Sequence, residues 1–576
     1  MDCDNTKTEP KLAASDQNLS LVHSTPQPGI VTDNADNLQR RLGNRQIQLL
    51  AIGGAIGTAL FVSIGNGLAA GGSGSLLIAY SLWCIVVAAI NNSISEMVVL
   101  QPVAGGFVRI AGHWFDDALG FMVGWNFFFF EVLAIPFEIA AVNLVVTYWT
   151  DKIPVAAICA ICIILYRYAE FWLSGGKVIL IFIVLSFTFV TMVGGNPQKD
   201  AYGFRYWNNP GAFADNPARS STGSLGRFEG FLSCLWSAAF TIVGPEYISI
   251  AAAETKRPRV YVKGAFKTVY WRFGAFFILG SLCVGIVVPW NDPQLQGVFL
   301  GTSGGGGTVT ASPYVIAMSN MGIGVLPHIV SALLITSIFS AGNTYVYCAT
   351  RTLYGMALEG RAPRMFSKTT TSGIPVYSFL AVICFGFLSF LQVNQGSAKV
   401  ISWLISLITG CGMIDYFTMC ITFINYHKAC KAQGLDRATL PYYGWLQPGC
   451  AYLGAISTFL VALFYGYSVF KPFSVEGFFQ NYTMQLVAPI LYLGWKIIKR
   501  TKKIKPDELD LVWERPMIDI YEESFVSPPN GFCECLTMET NTCLRPANHP
   551  LLPTEGLSDL MRTEFYSGPQ RTRPAG

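Results

Sequence analysis

Charged side chains are scarce in this sequence. Asp, Glu, Lys and Arg make up 13% of its 576 residues, whereas 52% are hydrophobic and the mean hydropathy is +0.42. Ordinary soluble domains are about 25% charged, so most of this chain is not solvated by water, which excludes a soluble multidomain protein. The net charge is only +4 and the basic residues occur in short clusters, which excludes the extended basic face of a nucleic-acid-binding protein.

Recognisable catalytic constellations are also missing. The five histidines have no metal-ligand spacing, and the sequence contains neither a phosphate-binding P-loop nor a nucleophile elbow. This excludes an ATP-driven pump made of a single chain. Paired His or acidic residues near a headgroup boundary are lacking too, which disfavours a membrane-embedded enzyme. We therefore expect no enzyme activity, no cofactor and no metal.

The two ends of the chain lack apolar segments. Residues 1–46 contain no hydrophobic core segment and hence no cleavable signal peptide. We interpret them as a disordered cytosolic tail, and the Pro-rich, charged stretch 501–576 as a second tail that is largely disordered. None of the 15 cysteines lies in the long loop 195–228, so we expect buried free thiols rather than disulfides.

Between the tails, long apolar runs dominate. Crossing about 30 Å of hydrocarbon takes roughly 20 apolar residues as a helix, because lipid offers no partner for exposed backbone groups. The predicted fold is all-α and polytopic, with twelve transmembrane helices in a domain spanning residues 47–500. The runs are approximately 48–70, 75–101, 118–149, 153–166, 171–194, 229–252, 268–290, 313–349, 374–393, 399–426, 449–470 and 482–498.

Lys and Arg indicate the orientation of these helices. They cluster before the first run, between the sixth and seventh, and after the eighth, tenth and twelfth, whereas residues 71–74 and 291–311 contain none. Because cytosolic loops of membrane proteins are enriched in Lys and Arg, we predict that both termini are cytosolic.

Glycine and proline interrupt the first and sixth runs in the middle. The first contains Ile52-Gly53-Gly54-Ala55-Ile56-Gly57-Thr58, and the sixth contains Phe240-Thr241-Ile242-Val243-Gly244-Pro245-Glu246. An unwound segment at this depth exposes amide and carbonyl groups, which is tolerated where they line a cavity and bind something polar. The alternative is that the glycines allow close helix packing and that the Gly-Pro pair is a simple kink. Matched interruptions in two halves favour a ligand site.

Few ionisable residues fall inside the spans. A charge at mid-membrane costs at least about 2.5 kcal/mol, so such residues face protein or water. Lys177 either reaches the cytosolic surface with its long side chain or is buried and exchanges a proton, and we favour the second interpretation. Asp415 we interpret as a packing or interfacial group. The ionisable residues away from the helix ends are Glu96, Glu131, Glu138, Lys177, Glu246 and Asp415.

An ordered series of motifs over residues 40–520 resembles the fungal amino acid permeases of the amino acid, polyamine and organocation superfamily, including the branch of dicarboxylic amino acid permeases. The motifs are Leu42-Gly43-Asn44-Arg45-Gln46, Ser95-Glu96-Met97, Gly124-Trp125-Asn126, Glu170-Phe171-Trp172, Ala253-Glu254-Thr255, Ser340-Ala341-Gly342-Asn343, Arg351-Thr352-Leu353-Tyr354 and Leu440-Pro441-Tyr442.

The resemblance implies a LeuT-like core of five plus five helices in inverted repeat, at about 48–194 and 229–426. Helices 1 and 6 are discontinuous, and two helices are added at about 449–498. It also implies proton symport of an amino acid by alternating access at the plasma membrane. The carboxylate would bind amides of the first interruption, the ammonium would bind carbonyls near Phe240, and Lys177 would face Ser340. The expected substrate-binding residues are Gly53, Gly54, Ile56, Gly57, Thr58, Phe240, Thr241 and Gly244. The expected proton-coupling residues are Lys177, Ser340 and Glu138.

Three features depart from the family pattern: the residues at two positions and the length of helix 4. Ala59 stands where glycine is usual, and Ile242 where an aromatic residue is common. Helix 4 is unusually short, because its run of 14 residues reaches only about 21 Å as a helix. If helix 4 did not cross, the basic loop 254–267 would face outward against the charge rule, so we predict that it crosses, short and strained.

Alternative functions remain open at this point. The same scaffold serves an amino acid sensor that binds without transporting, and the short helix 4 suggests a transport-defective paralogue. A channel is disfavoured because no continuous polar pore is evident. Aspartate or glutamate is the favoured substrate by resemblance. The expected partners are the amino acid, a proton, the lipid bilayer and a ubiquitin ligase acting on Lys7 and Lys11, and no nucleic acid.

Overall fold

The structure is a computed structural model that describes residues 40–150, 152–165, 170–300, 312–370, 373–395, 397–470 and 472–525. Within these ranges the chain is helical and forms no β-strand, apart from isolated bridges such as the one between Leu42 and Thr255. Lys7 and Lys11, the predicted ubiquitin acceptors, lie outside the described residues.

Nineteen α-helices make up the described chain. In chain order they are α1 Asn44–Ala55, α2 Ile64–Leu100, α3 Gly106–Trp114, α4 Asp117–Val146, α5 Val155–Leu165, α6 Glu170–Met192, α7 Gly223–Thr241, α8 Pro245–Ala251, α9 Pro258–Arg272, α10 Leu279–Val287, α11 Pro293–Leu300, α12 Pro313–Asn320, α13 Leu326–Leu358, α14 Val376–Phe385, α15 Gln392–Gln395, α16 Ser397–Ala432, α17 Gly449–Phe464, α18 Val475–Lys499 and α19 Arg515–Glu523.

Eight helical stretches of the described chain are long and apolar enough to cross a membrane. They are Ala59–Leu100, Asp117–Val146, Gly175–Met192, Gly223–Glu254, Pro258–Val287, Leu326–Leu358, Val400–Ala432 and Gly449–Val469. The chain is therefore an all-α polytopic membrane protein, as predicted. The apolar window of α4 is 78% buried by protein, whereas that of α17 is only 39% buried. Hence α4 lies at the centre of the bundle and α17 at its edge.

The count of eight differs from the predicted twelve partly because α2 joins two predicted runs. Its 37 residues would measure about 56 Å as a straight helix, nearly twice the hydrocarbon thickness. The helix turns at Gly72, whose φ of 81° and ψ of 172° are not helical. A Cβ there would lie 2.7 Å from the backbone oxygen of Ala212, so the turn requires glycine. This turn falls in the stretch 71–74 that the sequence predicts to be a loop.

The short fourth run forms a short helix. Helix α5 has 11 residues and a length of about 16 Å, which by itself is half the hydrocarbon thickness. It packs against α4 and the segment after α14, and the Cys159 thiol lies 3.8 Å from the Ser389 carbonyl oxygen. Residues 166–169, which join α5 to α6, lie outside the described residues, so the crossing stays a prediction.

Residues 501–525, which the sequence predicts to belong to a largely disordered tail, contact other parts of the described chain. The Ile504 amide donates to the Phe115 carbonyl at 2.8 Å, and the Trp114 indole donates to the Asp510 carbonyl at 3.0 Å. The sequence shows only Pro and charge here, whereas these backbone bonds depend on tertiary partners. We call residues 501–525 the C-terminal strap. The remainder of the tail lies outside the described residues.

The chain before α1 is tied to the chain after α8. The Leu42 amide donates to the Glu254 carbonyl at 2.8 Å, and the Lys256 amide donates to the Leu42 carbonyl at 2.8 Å. The Glu254 carboxylate also accepts hydrogen bonds from the Arg351 guanidinium and, at 2.8 Å, from the Tyr347 hydroxyl. These contacts gather α1, α8 and α13 at one face of the bundle.

Candidate functional site

The first helix is interrupted directly after Ala55. Ile56 has an extended backbone, with φ −119° and ψ 99°, and a π-helical turn from Ala59 to Ser63 leads into α2. The Ile56 amide closes α1 by donating to the Ile52 carbonyl at 3.0 Å. In a continuous helix, the amides that follow Ile56 would donate to carbonyls four residues earlier. The break removes this pairing.

Gly53 and Gly54 lie in the last turn of α1 and contribute carbonyl groups. Lys177 Nζ donates to the Gly53 carbonyl oxygen at 2.5 Å, and the Tyr345 hydroxyl donates to the Gly54 carbonyl oxygen at 3.3 Å. Side chains thus satisfy carbonyls that the break frees from helical bonding. The amides of these two glycines are inside α1, whereas Gly57 and Thr58 lie beyond the break.

Close packing explains the glycines at the break. A Cβ on Gly54 would lie 2.7 Å from the Tyr247 ring, and a Cβ on Gly57 would lie 2.6 Å from Glu138 Oε1. Each distance is shorter than van der Waals contact allows, so both positions require glycine for close approach rather than for an unusual φ.

The second interruption lies between α7 and α8. Helix α7 ends at Thr241, Ile242 is extended, and Gly244 adopts a φ of 155° before Pro245 starts α8. Such a φ favours glycine, and proline is suited to the first position of a helix because it needs no amide donor there. The Gly244 amide donates to Glu246 Oε1 at 3.1 Å, which caps the half-helix from within.

A small central cavity lies where the two interruptions meet. Four expected substrate-binding residues line it, namely Gly54, Gly57, Phe240 and Thr241. The whole lining consists of Gly54, Gly57, Ala59, Phe130, Ala134, Phe137, Phe240, Thr241, Val243, Tyr247, Tyr345 and Ile408. Its lining is mainly apolar and aromatic with a few polar groups, as in small-molecule sites.

The remaining expected substrate-binding residues lie behind the lining. Gly53, Ile56, Thr58 and Gly244 belong to the interrupted segments but not to the cavity wall. Tyr247, Tyr345 and Ile408 also line the cavity and are not among the expected substrate-binding residues. Tyr247 follows the Gly-Pro-Glu motif directly, which was an available signal, whereas nothing in the local sequence marks Tyr345 or Ile408.

Aromatic rings close the cavity on one side. The rings of Phe137 and Phe240 meet edge to face, with centroids 5.3 Å apart, and Phe240 is only 8% exposed. Such pairs hold each other by the attraction between a ring edge and a ring face. Ala59 also lines the wall, so one of the three departures from the family pattern contacts the cavity directly.

Two of the expected proton-coupling residues meet the first interruption. Lys177 is fully buried and bonded to Gly53, as described above. Glu138 is 1% exposed, accepts a hydrogen bond of 2.5 Å from the Thr58 hydroxyl and interacts electrostatically with Lys177. Ser340 is fully buried in α13, which packs against both α1 and α6. The surface-reaching alternative for Lys177 is therefore wrong.

The described residues contain no group of three or more His, Cys, Asp or Glu side chains arranged to hold a metal ion. A multi-pass helical bundle in which two helices break at one enclosed, partly polar cavity has the construction of a secondary transporter. Comparison with known proteins specifies the family. Residues 46–507 match the amino acid permease family, so the chain belongs to it and is a transporter rather than an enzyme.

Individual relatives support the same assignment. The chain is 43% identical over 501 residues to the general amino acid permease AGP2 of Saccharomyces cerevisiae, with 84% of each chain covered. It is 33% identical to the dicarboxylic amino acid permease of the same yeast, covering 85% of this chain and 82% of that one. It is 34% identical to the proline-specific permease of Emericella nidulans, covering 86% and 92%.

Proposed function

We propose that this chain imports amino acids across the plasma membrane by proton symport, with alternating access around the central cavity. In this proposal both termini are cytosolic, and twelve spans contain a five-plus-five inverted repeat. The observation that carries the proposal is the meeting of two helix interruptions at one cavity. Binding at such half-helix ends is the recurring arrangement of secondary transporters.

The proposed binding mode uses opposite ends of half-helices. The amide of Gly57, which lines the cavity, lies at the start of the helix that follows the first break, where the dipole favours a carboxylate. Carbonyls at Phe240 and Thr241 lie at the C-terminal end of α7, where the dipole favours an ammonium group. The substrate side chain then faces Phe137, Tyr247 and the other rings of the cavity wall.

Lys177 is proposed to couple the proton. Its ammonium group is bonded to the last turn of α1 and interacts with Glu138, which holds Thr58 on the other side of the break. Loss of the proton would weaken both contacts and free the two sides of the break from each other. A movement of α1 would thereby depend on the protonation of Lys177.

The cavity favours substrates with a neutral side chain. No Lys or Arg occurs among the described residues of its lining, so a second carboxylate finds no cation there. The preference for aspartate or glutamate, which rested on resemblance, therefore gains no support from this wall. Competition of uptake by each of the twenty amino acids measures the preference directly.

Uptake of a labelled amino acid into cells that lack their own permeases tests the proposal. We expect accumulation that a proton uncoupler abolishes, and Lys177→Met is expected to remove accumulation while the protein still reaches the membrane. Saturable binding to purified protein without accumulation would instead identify a sensor. The 11-residue α5 favours a second candidate, a transport-defective paralogue, which the same combination of binding without uptake would reveal.

A further inference from the structure

Four carboxyl side chains are buried beside the central cavity. Glu131 and Glu138 lie on α4, Glu246 on α8 and Asp415 on α16, and each is at most 2% exposed. Glu138 belongs to the site described above through Thr58 and Lys177. The other three, which we call the carboxyl triad, do not line the cavity.

The carboxyl triad is a set of groups that act on one another. Glu131 interacts electrostatically with both Glu246 and Asp415, and Asp415 interacts with Glu246. Glu246 accepts hydrogen bonds from the Gly244 amide at 3.1 Å and the Tyr416 hydroxyl at 3.0 Å. The triad therefore joins three helices, one of which is the half-helix α8.

Several oxygens of the triad have no hydrogen-bond donor in the described part of the chain. They are both carboxyl oxygens of Glu131 and one of Asp415, whose other oxygen accepts from Asn126 at 2.8 Å. The Tyr247 hydroxyl is likewise buried without a partner among the described residues, and it interacts with Glu131 and Glu246. Buried carboxyl oxygens without a donor indicate that something small completes the cluster.

The groups that face the triad do not neutralise it. From α13 comes Tyr345, from α8 comes Tyr247, and from α16 come Tyr416 and Cys411. Among the described residues no Lys, Arg or His contributes to the electrostatics of the three carboxyls. Lys177 interacts instead with Glu138.

Three buried carboxylates that interact with one another cannot all remain ionised in such a place. An isolated buried carboxylate is strongly disfavoured, and neighbouring carboxylates repel one another, so the cluster binds protons or a cation. The described residues offer no arrangement that holds a metal ion. We propose that Glu131, Glu246 and Asp415 form a proton-binding site separate from Lys177, which releases its proton when α8 moves.

Proton release follows from the position of Glu246. It lies in the first turn of α8, whereas Glu131 and Asp415 lie on the long helices α4 and α16. A displacement of α8 separates Glu246 from the other two and admits water. The O–H bond of one carboxyl then breaks, the proton passes to water, and a carboxylate remains. The role in transport rests on the proposed symport, but the proton occupancy does not.

Infrared spectroscopy of purified protein in lipid nanodiscs tests the proton occupancy without any transport assay. We expect the C=O stretching band of protonated carboxylic acids at pH 7, shifted in heavy water. Glu131→Gln and Asp415→Asn are each expected to lose part of this band, because an amide of the same shape replaces the acid. Absence of the band in the wild type, or an unchanged band in the double variant, would overturn the proposal.

Glu229→Gln is the matched control. Glu229 also has a carboxyl oxygen without a donor among the described residues, but it lies near the start of α7 and outside the triad. Its replacement is expected to leave the pH 7 band of the triad in place. Tyr247→Phe removes the neighbouring hydroxyl alone and is expected to shift the band without removing it.

Transport in proteoliposomes tests the coupling role. Glu131→Gln is expected to lose accumulation driven by a proton gradient and to keep exchange of labelled for unlabelled substrate, which needs no net proton movement. A weakened affinity in exchange would show that Glu131 binds the substrate ammonium and would overturn the proposal. If the wild type neither accumulates nor exchanges, symport fails while the infrared result still decides the proton site.

Discussion

At the scale of single residues, the first interruption depends on the absence of a side chain at Gly57. The hypothetical Cβ at this position would meet both Glu138 Oε1, at 2.6 Å, and Ala341 Cβ, at 2.9 Å. Glu138 in turn holds the Thr58 hydroxyl. The α4 carboxylate, the interruption and α13 thus approach one another at a single glycine.

Gly57→Val is therefore expected to abolish uptake, because overpacking of a close contact costs about 1–3 kcal/mol and displaces Glu138 from Thr58. The measurement is uptake normalised to the amount of protein at the cell surface. Gly280→Ala is the control, since its Cβ would meet only Leu60 Cδ1 at 3.6 Å. Normal uptake by Gly57→Val would show that the break tolerates a branched side chain.

Glu359 is a second residue with a defined electrostatic role, just after the end of α13. Burial alone would raise the pKa of its carboxyl, but a hydrogen bond from His113 and the charges of Arg109, His113 and Arg361 lower the pKa to about 2. The carboxylate lies 3.0 Å from His113 Nε2 and forms an ion pair with Arg109. Its side chain is 15% exposed.

A pKa that is lower in the folded state stabilises the protein at neutral pH, and this stabilisation is lost as the pH falls from about 4.5 towards 2. The lowering corresponds to at most about 3 kcal/mol at 1.36 kcal/mol per pH unit. Glu359→Gln is expected to lower the Tm at pH 7 and to approach the wild type at low pH. Thermal unfolding in detergent measures this. An equal effect of Glu508→Gln, which is 65% exposed, would contradict it.

At the scale of elements, the C-terminal strap fastens the ends of other helices. Gln433, the residue after α16, donates to the Pro506 and Leu509 carbonyls at 3.0 and 2.7 Å. The ring of Trp513 stacks on His113 with centroids 4.1 Å apart. Asp519 of α19 forms an ion pair with Arg259 of α9. The strap thus contacts elements that are distant in sequence.

Truncation separates the strap from the tail beyond it. A chain ending after residue 525 is expected to keep the wild-type Tm and uptake. A chain ending after residue 500 is expected to melt at a lower temperature, because each lost buried hydrogen bond contributes about 1 kcal/mol. Thermal unfolding and uptake of the two truncated proteins decide this, and equal Tm values would mean that the strap adds no stability.

Local sequence signals account for the interruptions but not for everything around them. Gly53 to Thr58 and the Gly244-Pro245 pair carry the chemistry of helix breaks in their own residues, so both breaks could be predicted. Tyr345 and Ile408 line the cavity because α13 and α16 pack against α4, which local sequence does not encode. The contacts of the strap could not be predicted for the same reason, since they join it to residues that are distant in sequence.

At the scale of the whole molecule, the crossing of α5 decides the orientation of everything after it. If α5 and the four residues after it cross the membrane, residues 254–267 face the cytosol. If they do not, this basic loop faces outward. The long loop 195–228 lies on the opposite side in the first case, and the exposed residues Arg219 and Lys256 report on the two sides.

Labelling with a membrane-impermeant maleimide distinguishes the two cases. In a background with the exposed Cys384 replaced by serine, Arg219→Cys is expected to react on intact cells, and Lys256→Cys only after permeabilisation. The expectation follows from the cytosolic preference of basic loops. Reaction of Lys256→Cys on intact cells would show that α5 does not cross and that the predicted topology is wrong.

The backbone bonds of Leu42 have a mechanical consequence. They attach the residues before α1 to the residues after α8, so the half-helices α1 and α8 are connected at this point. Neither can move away from the bundle without the other unless these two backbone hydrogen bonds break. An inward passage would accordingly open by a joint movement of α1 and α8, and not by independent movements of the two.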